Sequence, residues 1–264
     1  MTNTVLTYQG VNAYSLHGKR ILVTGASSGI GKSCALVCAS LGAELILIGR
    51  DEARLKQVAE EASAYGITQY PITMDLREDG VLKKVIENYV AKCGPLNGFI
   101  HSAGIEQTSP LSFLKKVQFD ELFAVNFFSG IELAQATAKK GSFNKEGASF
   151  VFVSSILSVN AQKNTLLYAA SKGALNAAMR TLALELAPKK IRVNAVLPSV
   201  VETELIKAVF NKIPEETISM RRKEHPLGFG KPDDVAYACA YLLSDVAKWV
   251  TGTELIVDGG FHCK

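Results

Sequence analysis

The chain has 264 residues, 48% of them hydrophobic and 20% charged, with a formal net charge of +4. That balance suits one α/β domain with a large apolar core, and the mild, dispersed charge argues against a nucleic-acid partner. No apolar run reaches the roughly 18 residues of a membrane span, and the first residues lack the basic-then-apolar order of a secretory signal, so no membrane partner and a cytoplasmic location are expected.

Residues 1–17 show no periodic pattern and read as an N-terminal extension to a domain spanning 18–264. Short, branched, nearly continuous apolar runs follow at 21–23, 45–48, 98–101, 150–153, 193–197 and 255–257. Strands buried on both faces of a parallel sheet have this composition. Helical patterns lie between them at about 32–41, 51–65, 78–92, 112–138, 168–187 and 233–243. Such alternation predicts a doubly wound parallel sheet, a Rossmann fold. The weaker run 69–74 contains Pro71, which lacks an N–H and fits an edge strand. Cys34, Cys38, Cys93, Cys239 and Cys263 show no metal-ligand spacing, so buried thiols and no metal site are expected.

The turn between the first strand and helix reads Thr24-Gly25-Ala26-Ser27-Ser28-Gly29-Ile30-Gly31. Glycines let a phosphate approach the backbone, and the following helix offers free N–H groups and a positive dipole end. The spacing is G-x-x-x-G-x-G rather than G-x-G-x-x-G, so its context must separate a phosphate cradle from a plain glycine turn. At the end of the second strand, where a carboxylate would bind a free ribose 2′-hydroxyl, stand Gly49 and Arg50. An arginine there favours a 2′-phosphate, hence NADP(H), unless Arg50 is a solvated surface charge. Asp51 reads as the N-cap of the next helix.

Tyr168 and Lys172 stand four positions apart on a helix rich in small residues, which puts them on one face. A nearby ammonium favours the phenolate, so a desolvated site with Lys172 and an oxidised nicotinamide beside Tyr168 is expected to lower its pKa from about 10 by about three units and let it exchange a proton with a carbonyl oxygen.

Taken with Asp75-Leu76, Ser102-Ala103-Gly104, Asn126, Ser154-Ser155, Arg192-Val193-Asn194, the segment from Pro198 to Thr203 and Val257-Asp258-Gly259-Gly260, these motifs resemble the short-chain dehydrogenase/reductase family, over essentially Leu16 to Phe261. The closest likeness in motifs is to 3-oxoacyl-carrier-protein reductases. The resemblance implies that Ser155 holds the substrate oxygen, that Lys172 also holds the nicotinamide ribose, and that Asn126 supports a proton-relaying water. The other reading of Asn126 is a helix-bending polar residue satisfied by backbone. It implies cofactor contacts from Gly25, Ser27, Ser28, Gly29, Ile30, Gly31, Arg50, Asp75, Leu76, Ser102, Ala103, Gly104, Tyr168, Lys172, Val201 and Thr203. Ser27 would assist at the 2′-phosphate, Asp75 would accept from the adenine amino group unless it serves only a turn or cap role before the next helix, and Val201 and Thr203 would meet the carboxamide. Ser154 and His101 are expected to be structural.

Two residues depart from the family pattern: Ser102 replaces the usual Asn, and Ser199 the usual Gly. Residues 204–232, where the family builds a substrate lid, are the least family-like. They mix Leu205, Val209, Phe210, Met220, Leu227 and Phe229 with Arg221-Arg222-Lys223. The basic run there leaves an anionic substrate open, against a solvated helix face, and Lys189-Lys190 and Arg192, with Lys139-Lys140, leave an acidic acyl carrier protein open as a partner. Helix residues Ala169, Ala170, Ala174, Ala177 and Ala178 would pack on a second copy or on the sheet, and the resemblance implies a homotetramer. The expected activity is hydride transfer between NADP(H) and a carbonyl or secondary alcohol. The substrate would be a 3-oxoacyl thioester, or a sugar, steroid or small ketone; a catalytically silent nucleotide-binding regulator is the competing reading.

Overall fold

A computed structural model of the chain describes residues 7–8, 11–78, 80–211 and 213–263. Residues 1–6 and 9–10 of the predicted extension, and the side chain of Leu205 in the predicted lid, lie outside the described residues. Thr7–Tyr8 and Val11–Asn12 form a short antiparallel pair. Leu16 is already part of the core: it is fully buried, and its N–H donates to Leu41 O at 2.8 Å.

Seven parallel strands make the main sheet: β1 (Arg20–Thr24), β2 (Glu44–Gly49), β3 (Gln69–Thr73), β4 (Gly98–His101), β5 (Ala148–Val153), β6 (Ile191–Pro198) and β7 (Glu254–Val257). Their order is β3-β2-β1-β4-β5-β6-β7, so the chain reverses its direction of winding between β1 and β4. Ligands of open α/β sheets bind at such a switch point, beyond the carboxyl ends of the strands. The Pro71-containing run is indeed the edge strand, pairing only with β2.

Both sheet faces are apolar because successive residues on each inner strand serve opposite layers. Ile21, Val23, Leu45 and Leu47 pack under α1 (Gly29–Ser40), α2 (Glu52–Ser63) and α9 (Pro232–Leu243). Leu22, Ile46, Ile48 and Phe99 face the other layer, beside α3 (Val81–Cys93), α5 (Ser129–Thr137) and α6 (Leu166–Leu186). Phe99 stacks on Phe150 with ring centroids 4.3 Å apart and meets Phe152 edge-on. Asp51 caps α2 as expected, accepting from Arg54 N at 3.0 Å.

The helix predicted over 112–138 is interrupted. After a single 3₁₀ turn, Leu111–Phe113, come α4 (Lys116–Phe123), a π-helical turn (Ala124–Phe128) and α5. The predicted lid contains α7 (Glu204–Phe210) and α8 (Glu215–Lys223), neither of which the apolar pattern announced. No helix among the described residues is long and apolar enough to cross a membrane.

Candidate active site

The glycine turn is shaped by backbone approach. A Cβ on Gly31 would stand 2.2 Å from Gly25 O, and one on Gly25, whose φ is +67°, would stand 2.9 Å from Ala103 N and Cα. The turn thus lies directly against Ser102-Ala103-Gly104 after β4, and no side chain fits between the two loops. Ser28 precedes α1 in extended conformation with its hydroxyl making no cap, so the first helical N–H groups keep their outward donors. Gly29 faces the methyl of Thr203, which would lie 3.2 Å from a Cβ there. Val201 is buried, pairs with Gly230, and so brings the start of the lid to the same turn.

At the carboxyl end of β2, Gly49 lies under Ser27: a Cβ would meet Ser27 Cβ and Oγ at 3.2 Å. A side chain at position 49 would crowd Ser27 and Leu55, which would have to give by a few tenths of an ångström. Arg50 is exposed, and its charge lowers the pKa of Asp75. Arg77 does more, its Nε donating to Asp75 Oδ1 at 3.1 Å and its Nη2 to Oδ2 at 2.5 Å, and it holds that carboxyl down at about 2. Arg77 was not picked out by sequence; it reaches back only two residues to Asp75 and leaves the carboxylate less free for an adenine amino group.

Ser155 follows β5, and Tyr168 and Lys172 project from the first turns of α6. The lysine ammonium lies 5.9 Å from the Tyr168 ring centre and donates to Val153 O at 2.8 Å. Lys172 is almost wholly buried, and burial lowers its pKa to about 8. Ser155 hydrogen-bonds the Tyr168 hydroxyl, which favours the phenolate. The protein's own groups do not by themselves supply the lowering expected with an oxidised nicotinamide alongside. Burial and the negative charge of Glu106 outweigh Ser155 and push the phenol well above its ordinary value, so it stays protonated. Glu106, which no sequence pattern marks, sits beyond the Ser102-Ala103-Gly104 turn.

Asn126 belongs to the π turn and is fully buried. Its Oδ1 accepts from Ile105 N at 2.8 Å, while Nδ2 donates to Ile105 O at 2.9 Å and Ser171 Oγ at 3.1 Å. Its carboxamide is thus bonded to backbone and side-chain groups of the protein. It ties the loop after β4 to the helix bearing Tyr168. A Cβ on Gly104 would lie 3.4 Å from Asn126 Oδ1 and 3.5 Å from Lys172 Nζ, so the loop crosses directly over both.

Beside Ser102, Thr24 Oγ1 accepts from Ala103 N at 3.2 Å and meets His101 Nδ1 at 2.9 Å. His101 is fully buried and held down to about 3 by burial and by Lys172, a neutral structural histidine as expected. Ser199 lies 2.8 Å from Nε2 of His225, whose Nδ1 lies 2.8 Å from Arg221 O. With Nδ1 donating to the carbonyl, Nε2 accepts from the serine hydroxyl. His225 is buried and stacks on Phe261 at 4.8 Å. Ser154 Oγ donates to Lys172 O at 3.3 Å, a structural role.

The lid is less apolar underneath than its composition suggested. Phe229 is buried against Phe210 and carries the Arg222 guanidinium at 4.4 Å, whereas Val209, Met220 and Leu227 are exposed. Of the basic residues considered for a carrier protein, Arg192 donates inward to Val250 O and Ser244 O, Lys189 to Ala138 O, and Lys139 to Glu87. Cys34, Cys38 and Cys239 are buried free thiols, and no metal-binding cluster occurs among the described residues.

Known proteins share this arrangement along nearly the whole chain. The family profile described as Enoyl-(Acyl carrier protein) reductase matches residues 25–262. L-xylulose reductase of Caenorhabditis elegans is 35% identical over 250 residues, covering 94% of this chain and 97% of that one. The 3-oxoacyl-[acyl-carrier-protein] reductase FabG of Thermotoga maritima is 33% identical over 246 residues, covering 93% and 98%. A 3-oxoacyl (acyl-carrier-protein) reductase from Agrobacterium tumefaciens C58, solved with NADP bound, superposes with a TM-score of 0.88 at 26% identity, covering 96% of this chain and 99% of that one. Sheet order, glycine turn and family match agree: the chain belongs to the short-chain dehydrogenase/reductase family and is an oxidoreductase acting on CH–OH and C=O groups.

Proposed function

We propose that the chain is an NADP(H)-dependent carbonyl reductase, reversible as a secondary-alcohol dehydrogenase, with Tyr168 as general acid/base. The observation that carries this reading is the convergence of Ser155, Tyr168 and Lys172 at the carboxyl end of β5, with the phenol held protonated. The cradle fits a dinucleotide: Gly25, Gly29 and Gly31 keep side chains off a helix start whose N–H groups face outward. Ser27 fills the space above Gly49, and exposed Arg50 stands beside it, which suits a 2′-phosphate and leaves no acid for a free 2′-hydroxyl.

When bound, the nicotinamide supplies hydride to the carbonyl carbon or takes it from the alcohol carbon. The Ser155 hydroxyl donates to the carbonyl oxygen and orients it. Tyr168 gives its phenolic proton to that oxygen as negative charge develops there, and in reverse accepts it. Lys172 places a positive charge beside the phenolate that remains. Asn126 positions the loop that crosses above Lys172. The relatives named above, reductases of L-xylulose and of 3-oxoacyl carrier proteins, put ketoses and 3-oxoacyl thioesters at the head of the substrates to test. Outward-facing Ala170 and Ala177 on α6, with exposed Leu166 and Leu184, suit a homotetramer of a cytoplasmic enzyme.

The test is NADPH oxidation with ketoses, acetoacetyl thioesters and cyclic ketones. Tyr168→Phe is expected to lower kcat about 10²- to 10⁴-fold with NADPH binding retained, the range of general acid–base catalysis. Turnover unchanged in that variant would refute the mechanism. Tight NADPH binding with no ketone reduced would favour a nucleotide-binding regulator.

A further inference from the structure

Resting on the reductase reading, we propose that Asn176 and Ser158 are positioning residues for Ser155: through Ser158, Asn176 locks the turn bearing Ser155 onto the helix that bears Tyr168 and Lys172.

The two halves of the site come from separate elements. Asn176 lies on α6, one helical turn beyond Lys172 and two beyond Tyr168, which keeps the three towards one side of that helix. Ser155 lies just past β5 and caps a single 3₁₀ turn, Ile156–Ser158. The chain then runs on through 159–165 before α6 begins, so hydrogen bonds have to set the spacing between the turn and the helix.

Those bonds straddle Ser155. On one side Ser154 Oγ donates to Lys172 O at 3.3 Å. On the other, Asn176 Nδ2 donates to Ser158 Oγ at 2.8 Å, and Ser158 Oγ donates to Ser155 O at 2.5 Å. Between them the turn rests on the helix at Gly173, where a Cβ would lie 3.7 Å from Ser158 O. The single proton of the Ser158 hydroxyl is committed to Ser155 O, so its lone pair takes an N–H from Asn176, which assigns the amide orientation. The turn also closes on the reactive group itself: Leu157 N donates to Ser155 Oγ at 3.1 Å. With a backbone donor on its oxygen, Ser155 keeps its own proton for the carbonyl. A slip of Ser158 would carry Leu157 with it and re-aim that proton.

The residue type at position 176 points the same way. Asn176 is buried, and its Oδ1 meets no donor among the described residues. An unpaired buried acceptor costs stability, whereas an apolar side chain of similar shape would not. The amide is thus a burden to the fold, offset by the one bond that Nδ2 makes towards Ser155. Stability and activity should therefore separate when it is replaced, as they do not for a residue that only packs.

The experiment measures single-turnover NADPH oxidation, NADPH affinity by fluorescence, and Tm. It compares wild type, Asn176→Leu, Ser158→Ala, Ser155→Ala, and Asn176→Leu combined with Ser155→Ala. The carbonyl is whichever of erythrulose, acetoacetyl-CoA and cyclohexanone wild type reduces fastest. Asn176→Leu should lower the rate about 10-fold, the worth of one hydrogen bond, with NADPH affinity unchanged and Tm equal or higher. Ser158→Ala should slow the reaction by a similar factor. Without the Ser155 hydroxyl there is nothing left to aim, so adding Asn176→Leu to Ser155→Ala should change the rate less than about twofold. Full rates in Asn176→Leu and Ser158→Ala would overturn the assignment, as would a 10-fold loss that persists in the Ser155→Ala background. A Tm that falls together with the rate would also overturn it, being the mark of a packing role. In each of these cases the reductase reading stands. No oxidation by wild type with any of the three carbonyls would overturn both.

Discussion

Replacing Lys172 by methionine should make the protein more heat-stable at neutral pH while abolishing turnover. The ammonium is almost wholly buried, and burial holds its pKa at about 8 against 10.5 for the free side chain. At about 1.4 kcal/mol per pKa unit, carrying the charge into the fold costs about 3 kcal/mol at pH 7. Methionine has a similar length and no charge, but it leaves Val153 O without its 2.8 Å donor, a loss of about 1–2 kcal/mol. The net gain is about 1–2 kcal/mol, or about 2–8 °C in Tm for a domain of this size. Its pH dependence has a fixed sign. Because the folded pKa lies below the unfolded one, the penalty is fully present below pH 8 and is relieved as pH rises from about 8 to 10.5. The advantage of the variant over wild type should shrink across that window. Thermal melts at pH 7, 8.5 and 10 decide the matter. A variant less stable than wild type at pH 7, or a difference that does not change with pH, would refute the reasoning.

Arg50→Ala should weaken NADPH binding about 10- to 100-fold, the worth of a hydrogen bond to a charged group, and leave NADH binding unchanged. Fluorescence titration with both cofactors checks this, and an equal loss for both would count against a 2′-phosphate contact. Ser199→Ala leaves the buried Nε2 of His225 without its 2.8 Å partner and should cost about 1–3 kcal/mol, seen as a Tm lower by about 2–10 °C. An unchanged Tm would show that the serine hydroxyl is not what satisfies the histidine.

The inner strands were legible because burial on both faces leaves an uninterrupted apolar run; 98–101 was read with its observed limits. The strands read at 21–23, 45–48, 150–153, 193–197 and 255–257 run one or two residues further than their apolar cores, whereas that read at 69–74 ends at Thr73. Arg20 and Glu44 extend β1 and β2 as a ladder pair joined by a 2.8 Å ion pair, and polar residues that pair with each other are invisible to a hydrophobic pattern. Tyr168 and Lys172 could be found because their relation is local, one turn of one helix. The protonation state of Tyr168 could not, since it depends first on burial and then on Glu106, on a loop far away in the chain. The same holds for Ser199: its hydroxyl reads as a mere departure until the fold delivers His225 to it. The lid helices escaped because their apolar residues do not face one core; Val209 and Met220 are exposed.

The π turn at Ala124–Phe128 solves a problem of phase. Two sets of residues make incompatible demands on one rod of helix: Leu122 on one side of the turn and Leu133 on the other must both reach the interior, and Asn126 must reach the loop over Lys172. An α-helix advances about 100° per residue, so dropping one residue to restore regular winding would rotate one half against the other by that amount. Either Leu122 would swing towards water or Asn126 would leave Ile105. The surplus residue works as a gearbox between the core and the chemistry, letting each half keep its own angular setting. Single-residue deletions across this turn are therefore a change of phase that neither half can absorb.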